Sequence, residues 1–303
     1  MQAFAALSRQ LQLSVLFPFQ RGPSIDTLSS MEGRERLWPL VPSLRDDLRA
    51  TAEATLNAGW GRAMVVTDPK ALEATVTMAF VDLYQAAGGQ VHSYEASPVQ
   101  QVDPDDSQQL DRFRDDMAWS ATPTVVVADR PEGPLASRLR RDQRLGAFGG
   151  GVVRSPNWVW LAASDELHAL PEVPWQQLGL EHPTRGEDWP GFSAAFSSRW
   201  GERPDLLAAS GYDTARVLAL VAVAPLPASD EGGCDPMGWV DPDAAPISLC
   251  DALKRRRQGQ SLRLEAAASD FRLRGGATPS GKASAGILKG ASSDRMKGDG
   301  DQA

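Results

Sequence analysis

An α/β fold built on a parallel sheet is what this sequence predicts, and three observations predict it. Short apolar runs recur at residues 63–67, 90–94, 124–128, 158–162 and 178–181, each of strand length. Amphipathic helical stretches separate them, at 43–59, 71–87, 106–119 and 134–145. Runs such as Val125-Val126-Val127 do not alternate with polar residues, so they suit strands buried on both faces. From Ser43 to His182 this amounts to about five strands, enough for one complete doubly wound unit.

The flanks read differently. Residues 2–10 carry a helical end, and Leu13 to Phe17 (LSVLF) a short strand broken by Pro18, Gly22 and Pro23. Residues 37–41 are extended, since Pro42 disfavours helix in the residue before it. Ser43 then caps the first long helix, with Asp46 in a capping-box-like position and Gly59 at its end. After the last strand come helices at 192–200 and 204–223. The longer opens with Pro204 and Asp205, both suited to a helix N-terminus, and stops before Pro225 and Pro227. Leu206, Leu207, Ser210, Ala215, Leu218 and Val221 fall at helical spacing and predict its buried stripe. A Gly/Pro/Asp loop at 225–246, a helix at 247–258 and strands near 271–274 and 285–288 follow, with a disordered tail at 290–303. A short helix is expected near Glu166.

Composition bounds the function. The 303 residues are 42% hydrophobic and 23% charged, ordinary for a globular protein, and a net charge of −8 argues against nucleic acid as a partner. No apolar run reaches the roughly 18 residues of a membrane span, and residues 1–17 lack the layout of an export signal. Cys234 and Cys250 lack metal-ligand spacing and have no histidine nearby. They are a candidate disulfide across the 225–246 loop, worth about 3 kcal/mol in an oxidising compartment, or else two free thiols.

Catalytic patterns are missing. His92, His168 and His182 are scattered, and the triple glycine at 149–151 lacks the lysine and hydroxyl residue of a phosphate loop. No nucleophile–base set is visible, so a non-enzymatic protein without a cofactor is expected. In a doubly wound unit ligands sit beyond the carboxyl ends of the strands. Those ends carry Asp68-Pro69-Lys70, Asp129-Arg130 and Ser164-Asp165, charged groups able to hold a zwitterion. The arginines at 138, 140, 141 and 144, and those at 255–257, read most simply as solvated helix faces, with a partner surface as the second reading.

Residues 196–220, FSSRWGERPDLLAASGYDTARVLAL, resemble the late N-lobe helices of the type I periplasmic binding proteins, the leucine/isoleucine/valine-binding group. Trp200-Gly201-Glu202-Arg203-Pro204 and Tyr212-Asp213-Thr214 carry the likeness. Looser matches follow in order at 15–19, 37–50, 61–70, 85–96 and 270–289. The resemblance implies two Rossmann-like lobes with parallel sheets, the N-lobe incomplete. It implies a partial N-lobe at 1–42, a complete C-lobe at 43–184, N-lobe return helices at 185–268 and C-terminal strands at 269–289. On this reading an export signal, the N-lobe sheet and half the ligand cleft belong to a missing upstream part.

The implied function is solute binding for an ABC importer in the periplasm, with an amino-acid-like ligand captured between two lobes and an ABC permease as partner. The implied ligand residues are Gln20, Arg21, Asp68, Asp129, Arg130, Ser164 and Asp165. Family members that bind amino acids have a tyrosine after the first C-lobe strand, where this chain has Asp68-Pro69-Lys70-Ala71. That departure keeps open a second role, an envelope regulatory protein of the peptidoglycan-synthase-activator kind with an empty cleft.

Overall fold

Valine-rich runs without alternation need cover on both faces, and in the computed structural model they form the middle of a sheet. The structure describes residues 1–70, 74–93, 97–120, 122–129, 133–148, 156–161, 175–225 and 235–288. In chain order the elements begin α1 (Gln2–Leu11), β1 (Val15–Phe17), α2 (Pro23–Asp26) and β2 (Leu37–Pro39). Next come α3 (Leu44–Asn57), β3 (Arg62–Thr67), α4 (Ala74–Ala86), β4 (Gln90–Val91), β5 (Gln100–Gln101) and α5 (Ser107–Ser120). They continue with β6 (Thr124–Val127), α6 (Pro134–Arg144), β7 (Asn157–Trp160), β8 (Gln177–Arg185) and α7 (Trp189–Trp200). The last are α8 (Leu206–Ala222), β9 (Pro246–Ile247), α9 (Leu249–Arg257), β10 (Arg263–Leu264) and β11 (Lys282–Ile287). Two units result: unit 1 is Met1–Asp46 with Thr184–Lys282, and unit 2 is Asp47–Pro183 with Ala283–Ala303.

Unit 2 carries the large sheet, in the order β11-β8-β7-β6-β3-β4, with β5 also beside β3. The pairings β3–β4, β3–β5, β3–β6, β6–β7 and β7–β8 are parallel. Strand β11 runs the other way, since Ser284 bonds Glu181 while Leu288 bonds Gln177. Its core packs Met64, Phe113, Val125, Leu139, Trp158 and Trp160. Trp158 and Trp160 point to one face, as residues two apart on a strand must, and their rings stack at 6.1 Å. The expectation of a solvated arginine face on α6 fails at Arg140. That residue is buried with its guanidinium 5.9 Å from the Trp160 ring centroid.

Unit 1 has far less sheet. Strands β1 and β2 pair in parallel, Val15 opposite Leu37, and β9 and β10 form a second parallel pair. Arginine side chains bound to backbone carbonyls hold its irregular segments. Arg36 reaches Gln12 O at 3.2 Å, and Arg263 reaches Ala244 O and Asp270 O at 2.7 and 2.8 Å. Arg256, 2% exposed, donates to Pro225 O at 2.6 Å just beyond the end of α8. The 255–257 run is therefore not wholly a solvated face.

Two further expectations are corrected here. The buried face of α8 carries Asp213, Arg216, Val217 and Leu220, while Leu207 and Leu218 of the expected stripe are 60% and 54% exposed. The hydrophobic count could not anticipate a buried ion pair. No strand forms at 271–274, where Phe271 takes a left-handed φ of 54° and only an isolated Arg274–Ala277 bridge appears. Asp205 does cap α8, accepting from Ala208 N at 2.7 Å, and the Ser43 hydroxyl accepts from Arg45 N at 3.1 Å. The short helix near Glu166 and the tail at 290–303 lie outside the described residues.

Candidate functional site

The sheet of unit 2 changes direction at β3. The chain lays β4 on one side of it, then places β6, β7 and β8 in succession on the other. The crevice outside the carboxyl ends at such a reversal is where doubly wound folds bind ligands. Here those ends belong to β3 and β6. Val66 pairs with Val127, so continuing the register two residues puts Asp68 beside Asp129. Strand β5, paired with the end of β3, adds the loop that begins at Asp103.

Each acid on this ledge has a defined partner. Asp68 is 6% exposed, and its Oδ1 accepts from Lys70 N at 2.8 Å. The Lys70 ammonium lies 3.3 Å from both Asp103 Oδ1 and Asp105 Oδ2. The hydrogen bonds that this ammonium donates to Asp103 and Asp105 raise the Lys70 pKa. The Asp105 backbone N–H, followed by Lys70, lowers that of Asp103. Asp129 Oδ2 accepts from Ala136 N at 3.2 Å in the first turn of α6. Gly133 leaves room for it, since a Cβ there would displace the Asp129 carboxylate. The ledge is acidic on balance and suits an ammonium or other cationic group. Among the described residues no cluster of His, Cys, Asp and Glu could hold a metal ion.

The other expected ligand residues divide. Arg21, in unit 1, donates through Nε to Pro42 O at 2.8 Å, and its own carbonyl accepts from Leu44 N at 2.9 Å. It braces the entry to α3. Gln20 is exposed in the same unit. Arg130, Ser164 and Asp165 lie outside the described residues, as does Cys234, whereas Cys250 is a free, exposed thiol in the first turn of α9. Sequence reasoning missed the Lys70–Asp103–Asp105 arrangement. Its available signal was the run Val102-Asp103-Pro104-Asp105-Asp106, an apolar residue followed by turn-forming acids.

Replacement tests what Asp129 does. Asp129→Ala is expected to destabilise unit 2 by about 1 kcal/mol through loss of the α6 cap, measured by urea unfolding. Asp129→Asn, which retains an acceptor, is expected to recover most of that loss.

Comparison with solved structures places this architecture. An ABC transporter substrate-binding protein from Desulfitobacterium hafniense superposes with a TM-score of 0.54 at 16% identity, covering 93% of this chain and 72% of that one. The structure described as its complex with Leu gives 0.56, also at 16% identity, covering 95% and 74%. The fold is that of the type I periplasmic binding proteins. A branched-chain amino-acid ABC transporter periplasmic ligand-binding protein from Burkholderia xenovorans is similar at 0.50 and 15% identity, over 73% of this chain and 56% of its own length. No family model matches the chain, and no curated protein matches it. No described helix is long and apolar enough to cross a membrane.

Proposed function

We propose that this chain is the solute-binding component of an ABC importer and takes an amino-acid-like solute. The observation that carries the proposal is the acidic ledge of Asp68, Asp103, Asp105 and Asp129 at the sheet reversal of unit 2. A carboxylate-rich strand end attracts the ammonium group of a zwitterion, and Lys70 beside it offers a cation for the carboxylate end. The protein acts by binding rather than by catalysis, works in the periplasm and delivers its solute to a permease. The N-lobe is incomplete in this reading, since among the described residues unit 1 forms only the two-stranded pairs β1–β2 and β9–β10.

Thermal-shift and calorimetric screening against amino acids, amides and urea tests the proposal. The true ligand at a hundredfold excess over its Kd adds about 2.7 kcal/mol of stability. A second reading, a regulatory protein of the cell envelope, is favoured by one observation. Arg21, Asp68 and Asp129 already bond to their own loops and are not free to change partners without cost. No shift with any solute, together with co-purification of a cell-wall enzyme, would select that reading and reject the importer.

A further inference from the structure

Strand β11 closes one side of the unit 2 sheet, and among the described residues no strand pairs with its outer side. Its hydrogen-bond parity is fixed by a single contact. Leu288 N donates to Gln177 O at 2.8 Å, so Gly286 and Ser284, of the same parity, also face β8. Ala283, Ala285 and Ile287 therefore turn their backbone N–H and C=O groups outward.

Natural sheet edges are normally blunted by charge, proline, a bulge or a covering element. Residues 283–287, Ala-Ser-Ala-Gly-Ile, contain no charge and no proline. Helix α3 does not cover them either. Ala50 and Ala54 of α3, Ala58 just past its end, and Glu53 and Asn57 between them line an open groove of ≈ 470 Å³ along the strand. Ile287, a large β-branched residue, is half-exposed there.

We propose that β11 pairs antiparallel with β11 of a second copy of this chain, joining two sheets across a two-fold axis at Ala285. A second copy fits because the strand complements itself. With Ala285 on the axis, position 283 of each copy faces position 287 of the other, so a small alanine meets the exposed isoleucine. Position 282 faces 288, so the only charge on the strand, Lys282, lies opposite Leu288 rather than another lysine. The outward amides of 283, 285 and 287 are the groups that antiparallel pairing needs.

Sedimentation velocity on the full chain across about 1–100 μM tests this. A concentration-dependent dimer is expected. Ala285→Pro removes an outward N–H without touching a bond to β8, and Ala285→Lys sets two like charges face to face while sparing the backbone. Each is expected to raise the dimer Kd by about tenfold or more with an unchanged far-UV spectrum. Hydrogen exchange should show protection of residues 283, 285 and 287 in the wild-type dimer and its loss in Ala285→Lys. A wild-type monomer at every concentration overturns the proposal. So does a dimer that both substitutions leave intact, including one dissolved instead by Leu218→Lys on the exposed face of α8.

Discussion

Asp213→Ala is expected to cost about 3 kcal/mol or more, because it leaves two buried backbone amides without their acceptor and removes one of the two carboxylates beside a buried arginine. Asp213 is buried on α8. Its Oδ1 accepts from Ala267 N at 3.0 Å and its Oδ2 from Ala268 N at 2.8 Å. Arg216 stands 3.7 Å away on the next turn and donates to Asp188 at 2.9 Å. The loop so held is gripped from its other side, since Gly186 N donates to Ala267 O and Asp188 N to Ala266 O, at 2.8 and 2.9 Å. Gly186 has to be glycine, as a Cβ would overlap Ala266 O and Ser269 O. Losing Asp213 therefore releases one wall of a packed knot rather than a lone side chain.

The same residue sets a pH dependence. Burial pushes the Asp213 pKa up to about 6, against the backbone amides of Ala267 and Ala268 and the charge of Arg216, which hold it down. Unfolded, it titrates near 3.9. Between those values the folded chain binds more protons than the unfolded chain, so this group's contribution to stability falls as pH rises from about 4 to about 6, then levels off. Asp213→Asn cannot ionise and is expected to remove that slope. It should cost less than alanine, because one acceptor oxygen remains. Urea unfolding at four pH values across this window measures both effects, and an unchanged slope in Asp213→Asn would falsify the assignment.

Unit 2 was legible because its signals are local. Apolar runs made strands, and Ser107 and Gly59 stand where α5 starts and α3 has ended. The strand-end rule selected Asp68 and Asp129 for the same reason. What escaped depends on distant partners. Strand β5 is Gln100-Gln101, two polar residues made a strand only by pairing with Val66 and Thr67. Arg140 and Arg256 sat in charged runs, and nothing nearby in sequence announced the Trp160 ring or the Pro225 carbonyl that receive them. On α8, Asp213 and Arg216 displaced Leu207 and Leu218 from the buried face, since a paired and hydrogen-bonded charge can occupy a core position that hydrophobicity alone assigns to leucine. The partners of the site acids were hidden likewise, since Ala136 N and the Lys70 bridge to Asp103 and Asp105 exist only once β3, β5 and β6 are side by side.

The core under the candidate site gives the other large effect. Trp158→Ala is expected to destabilise unit 2 by about 3–5 kcal/mol. The ring is fully buried, stacked on Trp160 and edge-on to Phe148 at 5.7 Å, and Phe148 meets Phe113 of α5 at 6.3 Å. Trp158 thus ties β7 to the turn after α6 and, through Phe148, to a helix, and alanine leaves a cavity that its two aromatic neighbours cannot fill without leaving their rotamers. Phenylalanine separates volume from polarity. Among the described residues the Trp158 indole N–H has no hydrogen-bond partner, so Trp158→Phe sheds that buried donor along with part of the ring. Its cost is expected to be less than half that of alanine by urea unfolding. Because β6 lies between β7 and β3, loosening β7 should reach the strand end that holds Asp129. Faster hydrogen exchange at Ala136 N, the amide that Asp129 caps, is the expected trace in Trp158→Ala. Unchanged exchange there would show that the site ledge is stable independently of the tryptophan core.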